Sequence, residues 1–442
     1  MYSTHELVNS RGNKLYREAR KVIPGGVHLL SKKPTLFAPE IWPPYYTKAK
    51  GSKIWDLDQR ELLDMSSMCV GSCIMGYSDD DIDNAVIKVL KAGVNSSLNC
   101  PEEVELAKIF LNIHPWFHMV RYARSGGEAM SIAVRIARAY TGNDIVLFSG
   151  YHGWTDWYLS ANLSNCKALD GHVIPGLLPF GVPRALTETA IPFPPNSINH
   201  VIDLFKKYKN KISAVVIEPA RSKLPPRDYL LELRKICTKF GAVLIFDEIT
   251  SGFRTCLGGV HSKLEVKPDM AVFAKALSNG YAMSLIGGIQ KVMMATQQTF
   301  VSSTNWTDRI GPTAALATIQ KFQKLNVHKH INYVGNLVKK IWIEEAMKND
   351  LDISVNGLDA LPSFEFNYQT NQKLITLYTV EMLKLGILSY NQFKPSFAHN
   401  AEDLQRYHDA VKKVFKVLGS DKSGSSISDD NVKHTSFKRL TT

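Results

Sequence analysis

Short apolar segments alternate with amphipathic segments between about residues 100 and 275, and this alternation most constrains how the chain can fold. The amphipathic segments carry apolar residues at helical spacing, as in 128–140. The apolar segments lie at 119–123, 144–148, 213–217, 242–246 and 270–273. Apolar strands alternating with amphipathic helices are typical of a parallel sheet covered on both faces. The sequence therefore predicts an α/β fold.

The chain is long enough for more than one domain, because 442 residues exceed the usual size of a single domain. We expect a large domain at 61–320. A smaller domain is expected to combine the N-terminal segment 1–60 with the C-terminal segment 321–418. The tail 419–442 is rich in Ser, Asp and Lys without periodicity, which predicts disorder.

The net charge of +12, from 53 basic and 41 acidic residues, suggests a polyanionic partner such as nucleic acid or a membrane surface. However, the Lys-rich stretch 205–211 is typical of a solvated helix end, and no nucleic-acid-binding motif accompanies it. A non-enzymatic basic binding protein is therefore the weaker alternative to an enzyme.

Targeting and metal-binding signals are not expected in this sequence. The N-terminus has no basic stretch followed by an apolar run, and no apolar stretch approaches 18 residues. The six cysteines do not have zinc-site spacing, and Pro115 separates His114 from His118. We expect reduced thiols, no metal site and a cytoplasmic location.

A glycine-rich turn follows the first apolar strand. Ser125, Gly126 and Gly127 come after 119–123 and open a helix. Backbone N–H groups at a helix N-terminus, with a hydroxyl beside them, suit a phosphate. A plain turn with serine as the N-cap is the alternative, and for this motif alone it is the commoner arrangement.

Aromatic and acidic residues follow the next three strands. Tyr151 comes after the second strand between glycines, where a ring can lie flat on a planar ligand, or simply pack. Glu218 and Asp247 follow the third and fourth strands. Asp247 suits a Mg²⁺ ligand, an acid or base, the partner of a protonated ring nitrogen, or a capping carboxylate.

A lysine, Lys275, lies just beyond the fifth apolar strand. Desolvation there would lower its pKa and make the amine a nucleophile, although a surface lysine that begins a helix is the alternative. Together, the strand-end motifs indicate a ligand that has a phosphate, a planar ring, a cationic ring nitrogen and a carbonyl that condenses with lysine. Pyridoxal 5′-phosphate has all four.

At these motifs the chain resembles the class III (subgroup II) pyridoxal-phosphate aminotransferases, in particular the glutamate-1-semialdehyde 2,1-aminomutase-like members. The resemblance covers about residues 10–418. Its motifs are 15–26, 119–142, 151–153, 217–219, 243–254, 274–275 and 307–312.

The resemblance implies a fold-type I transferase, with a mostly parallel sheet in the large domain and a smaller α+β domain. It also implies an aminotransferase that moves an amino group from an amino acid donor to a carbonyl acceptor. The chemistry would pass through a Schiff base of the cofactor with Lys275.

The resemblance further implies roles for individual residues. Asp247 pairs with the pyridinium nitrogen, and Tyr151 and Ile249 cover the two faces of the ring. Thr307, or alternatively Thr304, binds the phosphate of the neighbouring subunit, which implies a homodimer with shared sites. The implied cofactor-binding residues are Ser125, Gly126, Gly127, Tyr151, His152, Glu218, Asp247, Ile249, Lys275 and Thr307.

The chain departs from the family pattern in two places. Gly127 stands where the family usually has threonine, so one hydroxyl is missing. The segment 27–34 contains no arginine where the aminomutase grips a substrate carboxylate. Lys32, Lys33 and Arg221 are the candidate substitutes, although a lysine lacks the bidentate geometry of arginine.

The sequence is compatible with three hypotheses for the enzymatic activity. The first is an aminotransferase acting on two separate molecules. The second is an aminomutase that transfers the amino group within one intermediate. The third is a racemase or decarboxylase of the same fold, which would exchange no amino groups between substrates.

Overall fold

The computed structural model describes residues 2–172 and 175–435, which divide into two compact units. The large unit comprises 80–328, and the small unit comprises 1–79 together with the residues from 329 onward. The large unit contains a seven-stranded sheet in the order β1-β7-β6-β5-β4-β2-β3. Its strands are β1 (Met119–Ala123), β2 (Ile145–Ser149), β3 (Ala190–Pro192), β4 (Ile212–Ile217), β5 (Val243–Asp247), β6 (Met270–Phe273) and β7 (Ser284–Gly288).

Four neighbouring pairs in this sheet are parallel, and β2, β4, β5 and β6 are buried along their whole length. Helices cover the sheet, and Gly142 and Gly241 end two of them in left-handed conformation. The α/β prediction is confirmed. The α-helices of the large unit are Asp80–Ala92, Pro101–Ile113, Gly126–Thr141, Asp156–Leu159, Ala161–Ser164, Ile198–Lys207, Arg227–Phe240, Val260–Lys263, Gln290–Met293 and Ile310–Leu325.

The strand β7 is antiparallel to both of its neighbours and was not predicted. Its two glycines, which usually indicate a turn, lie under large side chains. A Cβ at Gly287 would stand 2.6 Å from Cε1 of Phe110, and one at Gly288 would stand 2.8 Å from Cγ of Met293. Glycine is present in this strand because the neighbouring side chains approach its backbone closely.

The segment from residue 310 to residue 348 forms two consecutive helices, Ile310–Leu325 and Val327–Lys348. Asn326 between them has a left-handed backbone with φ of 50°. Asparagine tolerates this conformation better than most residues, and this conformation ends the first helix.

The small unit contains its own core and two small sheets. Trp342, Tyr378 and Tyr407 are buried together, and the Tyr407 hydroxyl accepts a hydrogen bond of 2.7 Å from the Trp342 indole. Its strands are Tyr46–Lys50, Lys53–Asp56, Glu61–Asp64 and Ile387–Leu388 in one sheet, and Ile353–Asn356 and Ser363–Phe366 in the other. Its α-helices of five or more residues are Thr4–Val8, Arg11–Val22, Val327–Lys348 (which begins at the end of the large unit), Asn371–Lys384 and Ala401–Ser420.

The C-terminal tail, for which composition predicts disorder, packs on the small unit as far as it is described. Ile427 and Val432 are buried, and the backbone N–H of Lys433 donates to the Thr376 hydroxyl at 3.0 Å. Two apolar residues are enough for this packing. The average composition of the tail does not reveal them, because the polar residues around them are far more numerous. Residues 436–442 of the predicted tail lie outside the described part of the chain.

Within residues 2–172 and 175–435, no helix has the length and apolar character needed to cross a bilayer.

Candidate active site

The parallel strands end in register at one edge of the large sheet. Ser149 pairs with Ile217, Phe246 pairs with both Ile217 and Ala271, and Asp247 pairs with Val272. The residues that follow these strands therefore form a row at the carboxyl edge, where ligands bind in open α/β sheets.

The glycine-rich turn after β1 forms the N-terminus of the helix Gly126–Thr141, with Ser125 as its N-cap. The Glu128 carboxylate accepts hydrogen bonds from the N–H groups of Arg124 and Ser125, at 2.8 and 3.3 Å. A Cβ at Gly126 would stand 2.9 Å from Cδ1 of Ile249, so this glycine permits a close approach. The helix N-terminus and the Ser125 hydroxyl form a cradle suited to an anion.

Asp247, at the end of β5, is buried and held on both carboxylate oxygens. Its Oδ2 lies 2.8 Å from Nδ1 of the buried His152, and its Oδ1 accepts a hydrogen bond of 3.1 Å from the N–H of Ile249. His152 Nε2 lies 3.3 Å from the Ser149 carbonyl oxygen. The predicted site residues His152, Asp247 and Ile249 are thus brought together, and two partners orient the carboxylate.

Lys275 follows β6 with a left-handed backbone, at φ of 49°. Its Nζ donates a 2.8 Å hydrogen bond to the Thr250 hydroxyl. Burial lowers the pKa of Lys275 to about 8, and the charge of Arg221 adds to this effect while Glu218 and Asp247 oppose it. The amine is therefore available near neutral pH.

Glu218 and Arg221 form an ion pair beside these groups. The Arg221 guanidinium binds Glu218 through Nε at 2.9 Å to both carboxylate oxygens and through a terminal nitrogen at 2.6 Å to Oε1. Glu218 Oε2 also accepts a longer contact of 3.4 Å from the Tyr151 N–H. Arg221, a predicted carboxylate clamp, is thus already engaged by a carboxylate of its own chain.

The Thr307 segment is anchored next to the cradle by Arg124. The Arg124 guanidinium donates to the carbonyl oxygens of Asn305, Trp306 and Asp308, at 2.7–2.9 Å, and pairs with the Asp308 carboxylate at 2.7 Å. Thr307 is exposed, and its hydroxyl donates to the Thr304 carbonyl oxygen at 3.0 Å.

Lys32 and Lys33 belong to the small unit, whereas the other predicted site residues belong to the large unit. The charge of the Lys32 ammonium helps to lower the pKa of the Cys69 thiol. Burial lowers the pKa of Lys33, and the charge of Arg20 adds to this effect.

Sequence reasoning missed three site residues. Thr250 holds the Lys275 amine, Arg124 anchors the Thr307 segment, and the Trp154 indole covers Gly127. A Cβ at Gly127 would stand 3.3 Å from Nε1 of Trp154, where the family's threonine side chain would begin. Trp154 is part of the motif Tyr151-His-Gly-Trp154, but the spacing of the motif does not indicate where the indole points.

The residues present fit the predicted cofactor. The cradle can bind a phosphate. The oriented Asp247 carboxylate can accept a hydrogen bond from a protonated ring nitrogen, and the Lys275 amine can attack an aldehyde. Within the described ranges, no group of three His, Cys, Asp or Glu side chains is arranged to hold a metal ion.

Comparison with known proteins agrees with this geometry. The profile of the family described as Aminotransferase class-III matches residues 39–415. The chain belongs to the class III aminotransferases. It is accordingly an enzyme that uses pyridoxal 5′-phosphate and acts on small amino and carbonyl compounds.

Individual relatives cover nearly the whole chain. A glutamate-1-semialdehyde 2,1-aminomutase of Wigglesworthia glossinidia brevipalpis is 31% identical, over 93% of this chain and 98% of its own length. A 3-aminobutyryl-CoA aminotransferase of Cloacimonas acidaminovorans is 29% identical, over 91% and 96%. The family thus includes both aminotransferases and aminomutases.

A solved structure supports the fold. The FumI protein of Sphingopyxis sp. MTA144, in its PLP internal aldimine form, superimposes with a TM-score of 0.85 at 23% identity. The match covers 93% of this chain and 97% of that protein. The predicted fold-type I architecture is confirmed.

The charge of Arg221 generates a testable prediction about the pH dependence of Lys275. In Arg221→Gln the cation is removed and Glu218 loses its partner, so the pKa of Lys275 should rise above about 8. Only the neutral amine captures the aldehyde, so the pH midpoint for covalent capture of added cofactor by cofactor-free enzyme should move upward. Stopped-flow absorbance across pH measures this midpoint.

The matched control is Arg227→Gln, which removes an exposed arginine paired with Glu265. The midpoint of this variant should equal that of the wild-type enzyme. A midpoint that is unchanged or lower in Arg221→Gln would contradict the electrostatic role given to Arg221.

Proposed function

We propose that this class III enzyme transfers an amino group from an amino acid donor to the carbonyl group of a separate acceptor molecule. The observation that carries the proposal is the nucleophilic Lys275 amine, held by Thr250 at the sheet edge that also bears Asp247 and the anion cradle.

Residues of the cradle and of the strand ends would hold the cofactor. Ser125, Gly126 and Gly127 would bind the phosphate through the hydroxyl and the first N–H groups of the helix. Tyr151 and Ile249 would enclose the ring from its two faces, and the aldehyde would bind covalently to Lys275.

Asp247 would hold the ring nitrogen in its protonated state. Its carboxylate is buried and has His152 on one oxygen and the Ile249 N–H on the other, so it is pre-oriented. His152 is therefore assigned as a positioning residue that acts through Asp247. Glu218, which receives the Tyr151 N–H, would line the site and hold Arg221 in place.

When bound, pyridoxal phosphate condenses with amines and takes up the electrons of a bond broken at the substrate α-carbon. Lys275 would supply the proton transfers. Its amine remains tethered within reach of the α-carbon after the substrate displaces it, and it accepts the α-proton as an ammonium group. A pKa of about 8 allows the same group to accept and to return the proton near neutral pH.

Lys32, Lys33 and Arg221 remain the proposed contacts for a substrate carboxylate. Two of them already have anionic or potentially anionic neighbours, since Arg221 is paired with Glu218 and Lys32 interacts electrostatically with the Cys69 thiol. None repeats the arginine with which the aminomutase grips its substrate. This favours a substrate other than glutamate-1-semialdehyde, and therefore the transfer between two molecules.

An intramolecular aminomutase is the second candidate, because a relative with this name is the more similar of the two compared, at 31% against 29% identity.

We also propose a homodimer in which Thr307 contacts the cofactor phosphate of the partner chain. Thr304 and Thr307 are exposed, and Arg124 fixes the backbone of their segment. An exposed and firmly held hydroxyl is suited to reach a second subunit. Six free cysteines support the proposal of a cytoplasmic location, since thiols stay reduced there.

The catalytic assignments are tested by Lys275→Ala and Asp247→Asn. Without the amine, covalent cofactor capture and turnover should both be lost. Without the charge of Asp247, the cofactor should still bind, while turnover should fall by about 100-fold or more, since the ring nitrogen would lose its proton. Cofactor absorbance and steady-state rates measure the two effects. The control Lys206→Ala, at an exposed helix position, should match the wild-type enzyme; wild-type rates in either active-site variant would refute the assignment.

The two modes of amino transfer are distinguished by a labelled donor. If the enzyme is mixed with a panel of ¹⁵N-labelled amino acids and carbonyl acceptors, the label should appear in a second compound, as measured by mass spectrometry. Glutamate-1-semialdehyde is included in the panel. Rearrangement of that compound without any need for a separate donor would favour the aminomutase instead.

Sharing of the active sites is tested by mixing two inactive or weakened chains. After subunit exchange, a Lys275→Ala chain would provide Thr307 to the site of a Thr307→Ala chain, which retains Lys275. Activity at limiting cofactor should then rise to about a quarter of the wild-type value, because half of the random dimers contain one complete site. Activity equal to the mean of the two parents would show that Thr307 does not serve the partner.

A further inference from the structure

A strained turn in the small unit contains Cys69 and is followed closely by Cys73. Four consecutive residues, Met68, Cys69, Val70 and Gly71, have left-handed backbone, with φ of 40°, 52°, 57° and 83°. This conformation is costly for ordinary residues and especially for the β-branched Val70. Strain of this kind persists only where surrounding contacts impose it, and it often marks a functional position.

The turn places Cys69 four positions before Cys73, close enough for each thiol to shift the pKa of the other, and the Cys73 sulfur lies 3.8 Å from the Ser72 hydroxyl. The chain after Cys69 folds back on it, since the N–H and the hydroxyl of Ser72 both donate to the Cys69 carbonyl oxygen, at 3.1 and 2.8 Å. Cys69 is partly exposed, whereas Cys73 is buried. One cysteine is thus partly accessible to a reagent, whereas the second is shielded from solvent.

The surroundings of the two thiols make them chemically different. Hydrogen bonding from Cys73, and then contacts with Ser72 and with the Lys32 ammonium, lower the pKa of Cys69 to about 5, although burial opposes this shift. Hydrogen bonding to Cys69 and burial raise the pKa of Cys73. The partly exposed sulfur therefore carries the negative charge, which is the state that attacks electrophiles.

Three of the other cysteines are shifted the opposite way. Burial raises the pKa of Cys100, that of Cys237 to about 12 and that of Cys256 to about 11. Cys166 is exposed on the large unit. These four provide internal references for the reactivity of Cys69.

We propose that Cys69 and Cys73 form a redox-active dithiol, in which Cys69 is the attacking thiol and Cys73 is the resolving thiol. The reagent it takes is a low-molecular-weight disulfide. None of the roles assigned to Lys275 or Asp247 depends on this site, so the two proposals stand or fall separately.

The reaction balances as two thiol–disulfide exchanges. The Cys69 thiolate attacks one sulfur of the disulfide, forms a mixed disulfide and releases the first thiolate. That thiolate or a water takes the proton of Cys73, whose sulfur then attacks the Cys69 sulfur and displaces the second thiolate. The protein loses two electrons, and the reagent is reduced to two thiols.

Closing the disulfide also changes the charge next to Lys32. The Cys69 thiolate disappears, and the Lys32 ammonium loses its negative neighbour. Because Lys32 is a proposed substrate contact, the oxidised enzyme would present this cation without the charge of the Cys69 thiolate beside it.

Glutathione disulfide is the probe that tests the exchange chemistry in the holoenzyme. In the wild-type enzyme, peptide mass spectrometry should find a Cys69–Cys73 disulfide and two fewer free thiols. Cys73→Ser should stop at a mixed disulfide of Cys69 with one glutathione, and Cys69→Ser should form neither product. Cys166→Ser, the matched control, should behave as the wild-type enzyme does. Absence of the internal disulfide in wild-type enzyme, or its formation through Cys166, would overturn the proposal.

A second measurement needs no change to the cysteines. The rate at which iodoacetamide alkylates Cys69, followed peptide by peptide across pH, should have its midpoint below pH 7, whereas free cysteine has a pKa of about 8.5. Lys32→Gln should move the midpoint upward by removing the adjacent cation. Unaltered cofactor absorbance verifies that the holoenzyme is intact. A midpoint of about 8 or higher in the wild-type enzyme would exclude Cys69 as the attacking thiol.

Discussion

The in-register ending of the parallel strands is the constraint on which the site depends. Hydrogen bonding between β2, β4, β5 and β6 aligns their last residues, so the residues that follow them meet at one edge. Asp247 and Lys275 are 28 positions apart in sequence, yet Asp247 ends one strand of a parallel pair and Lys275 lies just beyond the end of the other. Packing of the apolar strands therefore brings the acidic group and the amine together, and the energy for this placement comes from the core.

Much of this fold could be predicted because its signal is local and repeated. Continuous apolar strands and helical stripes indicated the parallel sheet without knowledge of long-range contacts. The antiparallel β7 was not predictable in this way. Its glycines are required because the side chains of Phe110 and Met293 pack closely against them, and this packing is not visible in the local sequence. The break at Asn326 is not predictable from the apolar pattern either, because one left-handed residue hardly alters the spacing around it.

The site residues also differ in how well the sequence predicts them. Asp247 and Lys275 were predictable because a charged residue at the end of a buried strand indicates a ligand site. The residues that support them could not be predicted from the sequence. Arg124 acts on a segment 180 residues away, at Asn305–Asp308, and Thr250 is an ordinary polar residue until the fold brings the Lys275 amine to 2.8 Å. The net charge of +12 does not itself create the anion site, since the anion cradle relies on a helix N-terminus and a hydroxyl rather than on clustered cations.

The close approach of two glycines links three positions beside the cradle. Gly153 has φ of 105°, and a Cβ on it would stand 3.1 Å from the Cα of Gly127, so any side chain there meets backbone. A side chain at position 127 would begin 3.3 Å from Nε1 of the exposed Trp154 indole, which would have to shift by a few tenths of an ångström. Position 127 therefore accepts a larger residue only if Trp154 moves, whereas at position 153 the neighbouring backbone and the positive φ both require glycine.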